Sequence, residues 1–347
     1  MSHRAHVEAV DRTLKDLRNS DVVMGGATFV FAGDFRQTLP VITKGTRADI
    51  VTACLKSSYL WSSVKILSLR TNMRAHLSDN YDADFPYQLR KLGEGKINCS
   101  NNNDTSDYIK LDNRLGHILD RLEDLIDAIY PDLENLLDRD YNWLSSRAIL
   151  SPRNDTVDEI NELILEKIPG QVKHYRSIDT VCNSEDIVHF SQEFLNSLNP
   201  SGLPPHDLVL KVGIPIMLLR NLSPPTMCNG TRLLIKELRE NIIVATILTG
   251  SAIGQLTYIP RISIISTELP IPFERLQYPV KISFALTINK AQGQTFSLVG
   301  IDLRKQCFSH GQLYVSLSRV GSSERQYILL PDNNTTSNIV YQEVLSS

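Results

Sequence analysis

Residues 27–37 read Ala27-Thr28-Phe29-Val30-Phe31-Ala32-Gly33-Asp34-Phe35-Arg36-Gln37, and this stretch decides the fold class that we expect. A continuous apolar run before a glycine is typical of a short strand that is buried on both faces of a parallel sheet. Asp34 and Gln37 then follow the carboxyl end of that strand, where open α/β sheets hold their ligands. The stretch therefore predicts an α/β fold with a ligand site near Asp34 and Gln37.

Other segments extend the α/β pattern along the chain. Ile66–Leu69 reads as a short strand that leads into Asn72-Met73-Arg74, and Val280–Leu286 reads as a buried strand that leads into Thr287. Apolar residues at helical spacing predict an amphipathic helix over Leu115–Ile129, which Pro131 ends. A strand over Ala148–Pro152, followed by a helix over Asp155–Ile168, predicts the start of a second α/β unit.

A different pattern interrupts this second unit. Short apolar runs with turn residues between them occupy Pro215–Leu219, Arg232–Ile235, Ile242–Leu248 and Tyr258–Ile265. Regularly spaced short strands of this kind are typical of small β-barrels and sandwiches. We expect a small β-module inserted into the second α/β unit, and an exposed loop or domain boundary over the Asn-rich residues 98–106.

Composition restricts the class of protein. Of 347 residues 42% are hydrophobic and 22% charged, and the net charge is −3, as in an ordinary soluble globular protein. No apolar stretch approaches the roughly 20 residues that span a bilayer, so we expect an intracellular protein without a membrane partner. The net charge neither supports nor excludes a nucleic-acid partner.

The five cysteines are odd in number and dispersed, which favours reduced thiols, and no metal site is expected.

Four side chains have the chemistry that a nucleoside triphosphatase needs in the later part of its site. Gln37 can hydrogen-bond to a γ-phosphate or an attacking water, and Asp34 can hold the loop or the water shell of a metal. Arg74 and Arg319 can each place a bidentate guanidinium on phosphate oxygens. A Ser309-x-x-Gln312 capping box predicts a helix that would project Arg319 rigidly. The alternatives are ordinary loop polar residues for Asp34 and Gln37, and surface ion pairs for the two arginines.

Five ordered motifs give the chain a specific resemblance that covers nearly its whole length. It resembles the Pif-type DNA helicases of superfamily one, including the helicase-like reading frames of Helitron transposons. The residues that carry this resemblance are Gly33-Asp34-Phe35-Arg36-Gln37-x-Leu39-Pro40-Val41, Asn72-Met73-Arg74, Leu218–Leu222 with Cys228–Leu233, Thr287–Gly293, and His310-Gly311-Gln312-Leu313-Tyr314-Val315-x-Leu317-Ser318-Arg319-Val320. Any one of them alone would be weak evidence, whereas five in the family's order are not.

The resemblance implies two RecA-like domains of the P-loop NTPase type, the first truncated, with a small SH3-like β-module inserted in the second. The expected boundaries are residues 1–97 for the remainder of the first domain and 98–140 for a linker with the amphipathic helix. The second domain would take 141–190 and 280–347, and the β-module 191–279.

The resemblance also implies an ATP-dependent helicase that moves 5′ to 3′ on DNA and acts in replication, repair, recombination or telomere maintenance. By position, Gln37, Arg74 and Arg319 match the residues that face ATP. Four residues match the motif that links the DNA groove to the nucleotide: Gln292 and Gly293 on the nucleotide side, and Thr287 and Lys290 on the DNA side. Ser316 stands where the family usually has alanine.

Cofactors and partners follow from the same resemblance. ATP and Mg²⁺ are the expected cofactors, held mostly by residues that are not in this chain. Single-stranded DNA and DNA junctions are the expected partners of a monomeric protein. The nucleus is the expected compartment, with the mitochondrion as the alternative.

One departure from the family pattern is large. No G-x-x-x-x-G-K-[ST] phosphate loop occurs in the 347 residues, and no Asp-Glu pair precedes Asp34. We expect a fragment or truncated gene model whose ATP hydrolysis alone is negligible. Three hypotheses therefore stay open: a helicase whose sequence lacks its start, a non-catalytic remnant that binds single-stranded DNA or a partner, and a decayed transposon fragment without a stable fold.

Overall fold

The computed structural model describes residues 2–77, 84–97, 108–182, 190–200, 202–266, 273–331 and 334–345. The α-helices in these ranges are α1 (Arg4–Arg18), α2 (Arg47–Ala53), α3 (Met73–His76), α4 (Asp84–Gly93), α5 (Leu122–Ile129), α6 (Tyr141–Ser145), α7 (Asn154–Lys167), α8 (Gln192–Ser197), α9 (Gln312–Leu317) and α10 (Gln342–Leu345). None of the helices in the described ranges is both long and apolar enough to cross a bilayer.

The strands are shorter than most of the helices. They are β1 (Tyr108–Lys110), β2 (His117–Leu119), β3 (Arg147–Ser151), β4 (Lys173–Arg176), β5 (Ile178–Val181), β6 (Asp207–Leu210), β7 (Pro215–Leu218), β8 (Arg232–Leu238), β9 (Ile242–Ile247), β10 (Leu256–Pro260), β11 (Ile262–Ser266), β12 (Phe273–Gln277), β13 (Val280–Ile282), β14 (Ala285–Thr287), β15 (Leu298–Asp302), β16 (Gln326–Leu329) and β17 (Thr335–Ser337). Helices and strands together confirm the predicted mixed α/β class.

The chain forms two compact units that do not follow chain order. The first unit comprises Met1–Leu125, Leu150–Arg153 and Thr287–Ser347, and the second comprises Ile126–Ile149 and Asn154–Leu286. The division passes through α5, β3 and β14. The domain boundaries expected from the sequence stay a prediction.

Parallel strands form the centre of the first unit. β16 lies between β15 and β2 and pairs with both in parallel, with Val299 beside Gln326 and Tyr327 beside His117. The side chains of Val299, Ile301 and Ile328 on these strands are fully buried. Parallel pairing with burial is the arrangement that the α/β pattern of the sequence predicts. The antiparallel pair of β1 with β17 also belongs to this unit.

Two strands predicted for the first unit are wrong. Neither residues 27–32 nor residues 66–69 form a strand, and no strand of the described residues pairs with them. Val30 is 90% exposed and Leu69 is 100% exposed. An apolar run becomes a buried strand only where neighbouring strands satisfy its backbone and cover its faces. No strand of the described residues supplies those neighbours, and the two segments have no regular secondary structure.

The predicted helix over Leu115–Ile129 is correct only in its second half. α5 begins at Leu122, whereas His117–Leu119 forms β2 and pairs with Tyr327–Leu329 of β16. Gln326 Nε2 also donates a hydrogen bond to the carbonyl oxygen of Leu115. Pairing with a neighbouring strand has therefore overridden the helical spacing of the first apolar residues. The loop predicted over residues 98–106 lies outside the described residues.

Antiparallel sheets dominate the second unit. A five-stranded sheet has the order β10-β9-β8-β7-β13, a three-stranded sheet has the order β11-β12-β5, and β4 pairs with β6. The strands predicted at Pro215–Leu219, Arg232–Ile235 and Ile242–Leu248 are confirmed as β7, β8 and β9. The run Tyr258–Ile265 is two strands, since β10 and β11 belong to different sheets. The SH3-like class of this module stays a prediction.

A buried ion pair connects elements of the second unit. Arg275 on β12 donates from Nε to Asp179 Oδ1 at 2.9 Å and from an Nη to Asp179 Oδ2 at 2.7 Å. Both side chains are completely buried, and Arg275 also donates to the carbonyl oxygens of Pro204 and Leu195. Two parallel bonds between a guanidinium and a carboxylate fix the angle between partners as well as their distance. The pair therefore fixes the register of β12 against β5.

Candidate functional site

The loop Gly33–Gln37 is held by the side chain of its own aspartate. Asp34 Oδ1 accepts hydrogen bonds from the backbone N–H of Arg36 at 3.1 Å and from Arg36 Nε at 2.8 Å. The backbone N–H of Gln37 donates to the carbonyl oxygen of Asp34 at 3.1 Å, which closes the turn. Of the two roles expected for Asp34, holding the loop is the one that the geometry supports.

The segment that carries α9 packs directly against this loop. Tyr314 on α9 donates from its hydroxyl to Asp34 Oδ2 at 3.0 Å, and His310 Nε2 lies 2.8 Å from the carbonyl oxygen of Phe35. A Cβ at Gly311 would lie 2.3 Å from the carbonyl oxygen of Arg36, so only glycine allows this approach. Burial, followed by the negative charge of Asp34, raises the pKa of Tyr314 to about 12.

The side chain of Gln37 is bound to a second glutamine. Gln292 Nε2 donates to Gln37 Oε1 at 3.0 Å, and Thr38 Oγ1 donates to Gln292 Oε1 at 3.1 Å. Gln292 ends the 3₁₀ turn Ile288–Ala291 and is half-buried, as is Gln37. The structure therefore brings together two residues that the sequence places 255 positions apart.

Arg319 lies inside the protein and does not project from it. α9 ends at Leu317, and Arg319 is 3% exposed. Its Nε donates to the carbonyl oxygen of Val315 at 2.7 Å, one Nη donates to Gln294 O at 3.1 Å and Ala291 O at 3.4 Å, and the other Nη donates to Ser318 Oγ at 2.8 Å.

Two details of the expected Arg319 helix need correction. The residue that caps α9 is Gly311, which makes no side-chain cap, and of the expected capping box only the bond from Ser309 N to Gln312 Oε1 is present. The tight αL turn at Gly311 places the start of the helix later than Ser309. Burial, followed by the positive charge of Arg74, lowers the pKa of Arg319 to about 10, so the guanidinium is still charged at neutral pH.

Arg74 approaches the same turn from α3. Its Nε and one Nη donate to Thr295 Oγ1 at 3.2 and 2.8 Å, and the other Nη donates to the carbonyl oxygen of Ser318 at 2.5 Å. Asn72 caps α3 by accepting from the backbone N–H of Ala75 at 3.3 Å, which positions Arg74 in the first turn. Burial lowers the pKa of Arg74.

Neither arginine has a carboxylate within ion-pair distance in the part of the chain that the structure describes. Among the described residues the alternative, an ordinary surface ion pair, is observed for neither arginine. A guanidinium that donates only to neutral oxygens keeps its full charge for a ligand, and its planar fork matches phosphate oxygens. Both Arg74 and Arg319 contact the segment Ala291–Thr295, so two guanidinium groups that form no ion pair with any described residue border one turn.

The other residues expected at the site lie along the same turn. Thr287 is the last residue of β14 and precedes the turn, while Lys290 lies within it and is exposed. Gly293 has a φ of +82° and nothing within 4 Å of the position of a Cβ, so it faces open space. The structure thus brings Gln37 and Gln292 into direct contact, and Arg74 and Arg319 to the same turn through other contacts, with Thr287, Lys290 and Gly293 along that turn.

Sequence reasoning did not assign roles to His310, Gly311, Tyr314 or Thr295, although the first three lie in a quoted motif. Their roles arise from contacts with residues more than 200 positions away. Tyr314 and His310 are polar residues in a largely apolar stretch. This is the signal in the sequence that could have indicated that their side chains form hydrogen bonds.

Comparison with known proteins gives two family matches. The profile of PIF1-like helicases matches residues 1–103, and the profile of the 2B domain of DNA helicase Pif1 matches residues 193–238. A curated relative, the ATP-dependent DNA helicase Pif1 of Psychrobacter sp., is 27% identical over 93% of this chain and 51% of its own length. The chain spans about half the length of the curated relatives it matches.

Solved structures show the same fold. The crystal structure of Pif1 helicase from Candida albicans superposes with a TM-score of 0.62 at 21% identity, covering 99% of this chain and 73% of that one. The crystal structure of Bacteroides Pif1 bound to ssDNA gives a TM-score of 0.63 at 20% identity, covering 97% and 75%. At these identities the likeness concerns the fold alone, and it confirms the predicted α/β class.

Proposed function

Because the chain belongs to the Pif1-like helicase family, we propose that it carries the later motifs of an ATP-dependent DNA helicase that moves 5′ to 3′ on single-stranded DNA. The relatives it matches are named as ATP-dependent DNA helicases. Since the chain covers about half of their length, helicase activity is the proposed function of the whole protein to which these motifs belong.

One observation carries the proposal: two arginines that form no ion pair within the described residues border the turn that also holds Gln37. Arg74 and Arg319 both donate to residues of the segment Ala291–Thr295 or its neighbour Ser318, and Gln292 in that segment holds Gln37. Burying charge without a counter-charge is unfavourable, so such an arrangement indicates a site whose anion arrives with the ligand. The end of a nucleoside triphosphate supplies that anion.

Each side chain then has a proposed role. Gln37 would contact the γ-phosphate or the attacking water, and Arg74 and Arg319 would stabilise the charge on the transferred phosphoryl group. Asp34 would keep the Gly33–Gln37 loop in place through Arg36. Gln292 and Gly293 would line the nucleotide side of the turn.

The proposed partners and setting follow from the family. Thr287 and Lys290 would contact single-stranded DNA at the exposed edge of the turn. ATP would bind together with Mg²⁺, for which these residues offer no assigned ligand. A monomer acting on single strands and junctions in the nucleus, in repair, recombination or related DNA transactions, is the proposed form, with the mitochondrion as the alternative compartment.

The test is whether DNA affinity responds to nucleotide. The 347 residues contain no phosphate-loop motif, and negligible ATP turnover by these residues alone stays a prediction. The affinity for DNA is therefore the primary measurement. We expect a fluorescent oligo(dT) to bind with an affinity that falls with salt, with a log–log slope of about −0.7 per contacted phosphate. Saturating Mg–ATP should shift that affinity, and Arg319→Lys should abolish the shift.

Arg114→Ala is the matched control, because Arg114 is an exposed arginine paired with Asp112. Binding that is the same with and without Mg–ATP in the wild type would contradict the helicase proposal and favour a non-catalytic DNA-binding remnant. Where turnover is measurable, Arg319→Ala should lower kcat by about 10³–10⁵, the range that an arginine finger supplies.

A further inference from the structure

We propose that Gln292 is a positioning residue that sets the polarity of the Gln37 amide, so that Gln37 presents its NH₂ group to a phosphate and keeps its carbonyl oxygen turned away. This inference rests on the proposed function for the identity of the ligand. The polarity itself is a property of the protein alone and can be measured without nucleotide.

Three side chains form a relay of defined direction. The hydroxyl of Thr38 donates to Gln292 Oε1 at 3.1 Å, and Gln292 Nε2 donates to Gln37 Oε1 at 3.0 Å. Thr38 is 4% exposed, so its hydroxyl has little access to water. In the described part of the chain Gln37 Nε2 has no hydrogen-bond acceptor. The open end of the relay is therefore a pair of N–H donors.

A reversed relay would keep the same number of hydrogen bonds. If both amides turned over, Gln37 Nε2 would donate to Gln292 Oε1, and Gln292 Nε2 would donate to the Thr38 hydroxyl, because a hydroxyl donates or accepts equally well. Gln37 would then present Oε1, which repels a phosphate and accepts from water. The relay thus has two self-consistent polarities, the protein adopts the one seen here, and an anionic ligand would stabilise it further.

Arg319 connects the relay to the charged part of the site. It donates to the carbonyl oxygens of Ala291 and Gln294, which lie on either side of Gln292. The backbone that carries Gln292 is therefore held by the same guanidinium that we propose binds phosphate. A shift of Arg319 toward a ligand would move Gln292, and with it the Gln37 amide.

Glu at position 292 provides the sharpest test, because a carboxylate only accepts hydrogen bonds. In the 347-residue chain labelled with ¹⁵N in its glutamine side chains, proton exchange reports which amide donates. The wild type should show one protected side-chain proton on Gln292 and none on Gln37. In Gln292→Glu the Gln37 amide must turn over and donate, so the protected proton should be on Gln37.

Titration with inorganic tripolyphosphate on the same samples gives the functional readout. Gln292→Glu should weaken binding about tenfold more than Gln294→Glu, which adds the same charge two residues away without contacting Gln37. Thr38→Val removes the hydroxyl that donates to Gln292 and should weaken tripolyphosphate binding several-fold, whereas Thr38→Ser keeps a hydroxyl and should restore it. These factors correspond to the loss of one hydrogen bond to a charged group.

Two results would overturn the proposal: a protected proton on Gln37 in the wild type, or equal effects of Gln292→Glu and Gln294→Glu on tripolyphosphate binding. A different result separates this inference from the proposed function. If the exchange pattern is as expected but neither tripolyphosphate nor ATP binds the wild type, the relay stands and the nucleotide-dependent function fails.

Discussion

His310 is fully buried beneath the Gly33–Gln37 loop, and its Nε2 donates to the carbonyl oxygen of Phe35 at 2.8 Å. Its other ring nitrogen, Nδ1, accepts from the backbone N–H of Tyr341 at 2.8 Å. An imidazole that donates on one nitrogen and accepts on the other is neutral. A single neutral ring therefore joins the loop that carries Gln37 to the segment before α10.

We expect this contact to make stability depend on pH. Burial, reinforced by the positive charge of Arg47, lowers the pKa of His310, although its bond to Phe35 and the charges of Asp34 and Glu343 oppose the shift. Because the folded-state pKa lies below the unfolded value of about 6.5, the contribution is complete above that pH and is lost as pH falls toward the folded pKa. Urea unfolding between pH 8 and pH 5 measures it.

The matched variant is His310→Gln, whose amide can donate and accept but does not titrate. It should be less stable than the wild type by about 1–2 kcal/mol at pH 8, because its geometry is imperfect, and its stability should fall less as pH is lowered. His117→Gln, at an exposed position on β2, is the control. A wild-type pH dependence that His310→Gln reproduces in full would show that another group is responsible.

The sequence predicts this part of the site only incompletely. The motif Gly33–Gln37 gives the loop and the two polar residues, because they follow an apolar run before a glycine. The strand predicted over residues 27–32 does not form, because pairing depends on neighbouring strands, which the pattern of those residues cannot supply. In the structure Val30 is 90% exposed. Local pattern identifies what a segment prefers, whereas tertiary pairing decides whether it becomes a strand.

Gly311 should be the least replaceable glycine of the site. Its φ is +70°, and a Cβ would lie 2.3 Å from Arg36 O and 2.7 Å from the carbonyl carbon of Gln37. Gly311→Ala therefore combines left-handed backbone strain with a clash against backbone that cannot move aside. We expect a loss of stability well above the roughly 1–2 kcal/mol that left-handed strain alone costs, together with displacement of the Gln37 loop.

Gly254→Ala separates the two causes. Gly254 has a φ of +83° and nothing within 4 Å of the position of a Cβ, so alanine there meets strain without a clash. Urea unfolding of both variants gives the difference that the clash causes. Equal losses for Gly311→Ala and Gly254→Ala would mean that α9 does not press on the loop as closely as the structure places it.

The arginines illustrate the other limit of sequence reasoning. Arg74 and Arg319 are recognisable from their motifs, but their burial and partners are not, because helical spacing alone does not show where α9 ends. The prediction of a projecting Arg319 assumed that the helix continues through it, whereas α9 ends at Leu317. The chain then turns, and the guanidinium folds back to the carbonyl oxygen of Val315.

In the second unit we expect Asp179→Ala to be strongly destabilising. The change leaves Arg275 charged and completely buried without its carboxylate, and breaking one side of a buried pair typically costs about 3–5 kcal/mol. Glu237→Gln is the control, because Glu237 pairs with Arg239 on the surface, where both side chains are more than half exposed. That change should cost far less than Asp179→Ala, because solvent screens the exposed pair. Similar unfolding midpoints for the two variants would contradict the burial of the Arg275–Asp179 pair.

Arg319 should stabilise the turn that it contacts, in addition to binding a ligand. Arg319→Ala removes the guanidinium donor from the carbonyl oxygens of Val315 and Gln294 and leaves a cavity in a buried environment, so we expect a loss of more than about 2 kcal/mol in the free energy of unfolding. Arg319→Lys keeps the charge but not the fork, because one ammonium cannot reach acceptors on both sides, and it should be intermediate in stability.

Arg12→Ala, at an exposed position on α1, is the control and should change stability by less than about 0.5 kcal/mol. Tripolyphosphate binding measured on the same variants separates the two roles of Arg319. If Arg319→Lys retains most of the stability but loses tripolyphosphate binding, the planar fork acts on the ligand directly. If Arg319→Ala unfolds like the wild type, the guanidinium is not embedded among the carbonyl oxygens of the turn, and its burial cannot be the cause of its lowered pKa.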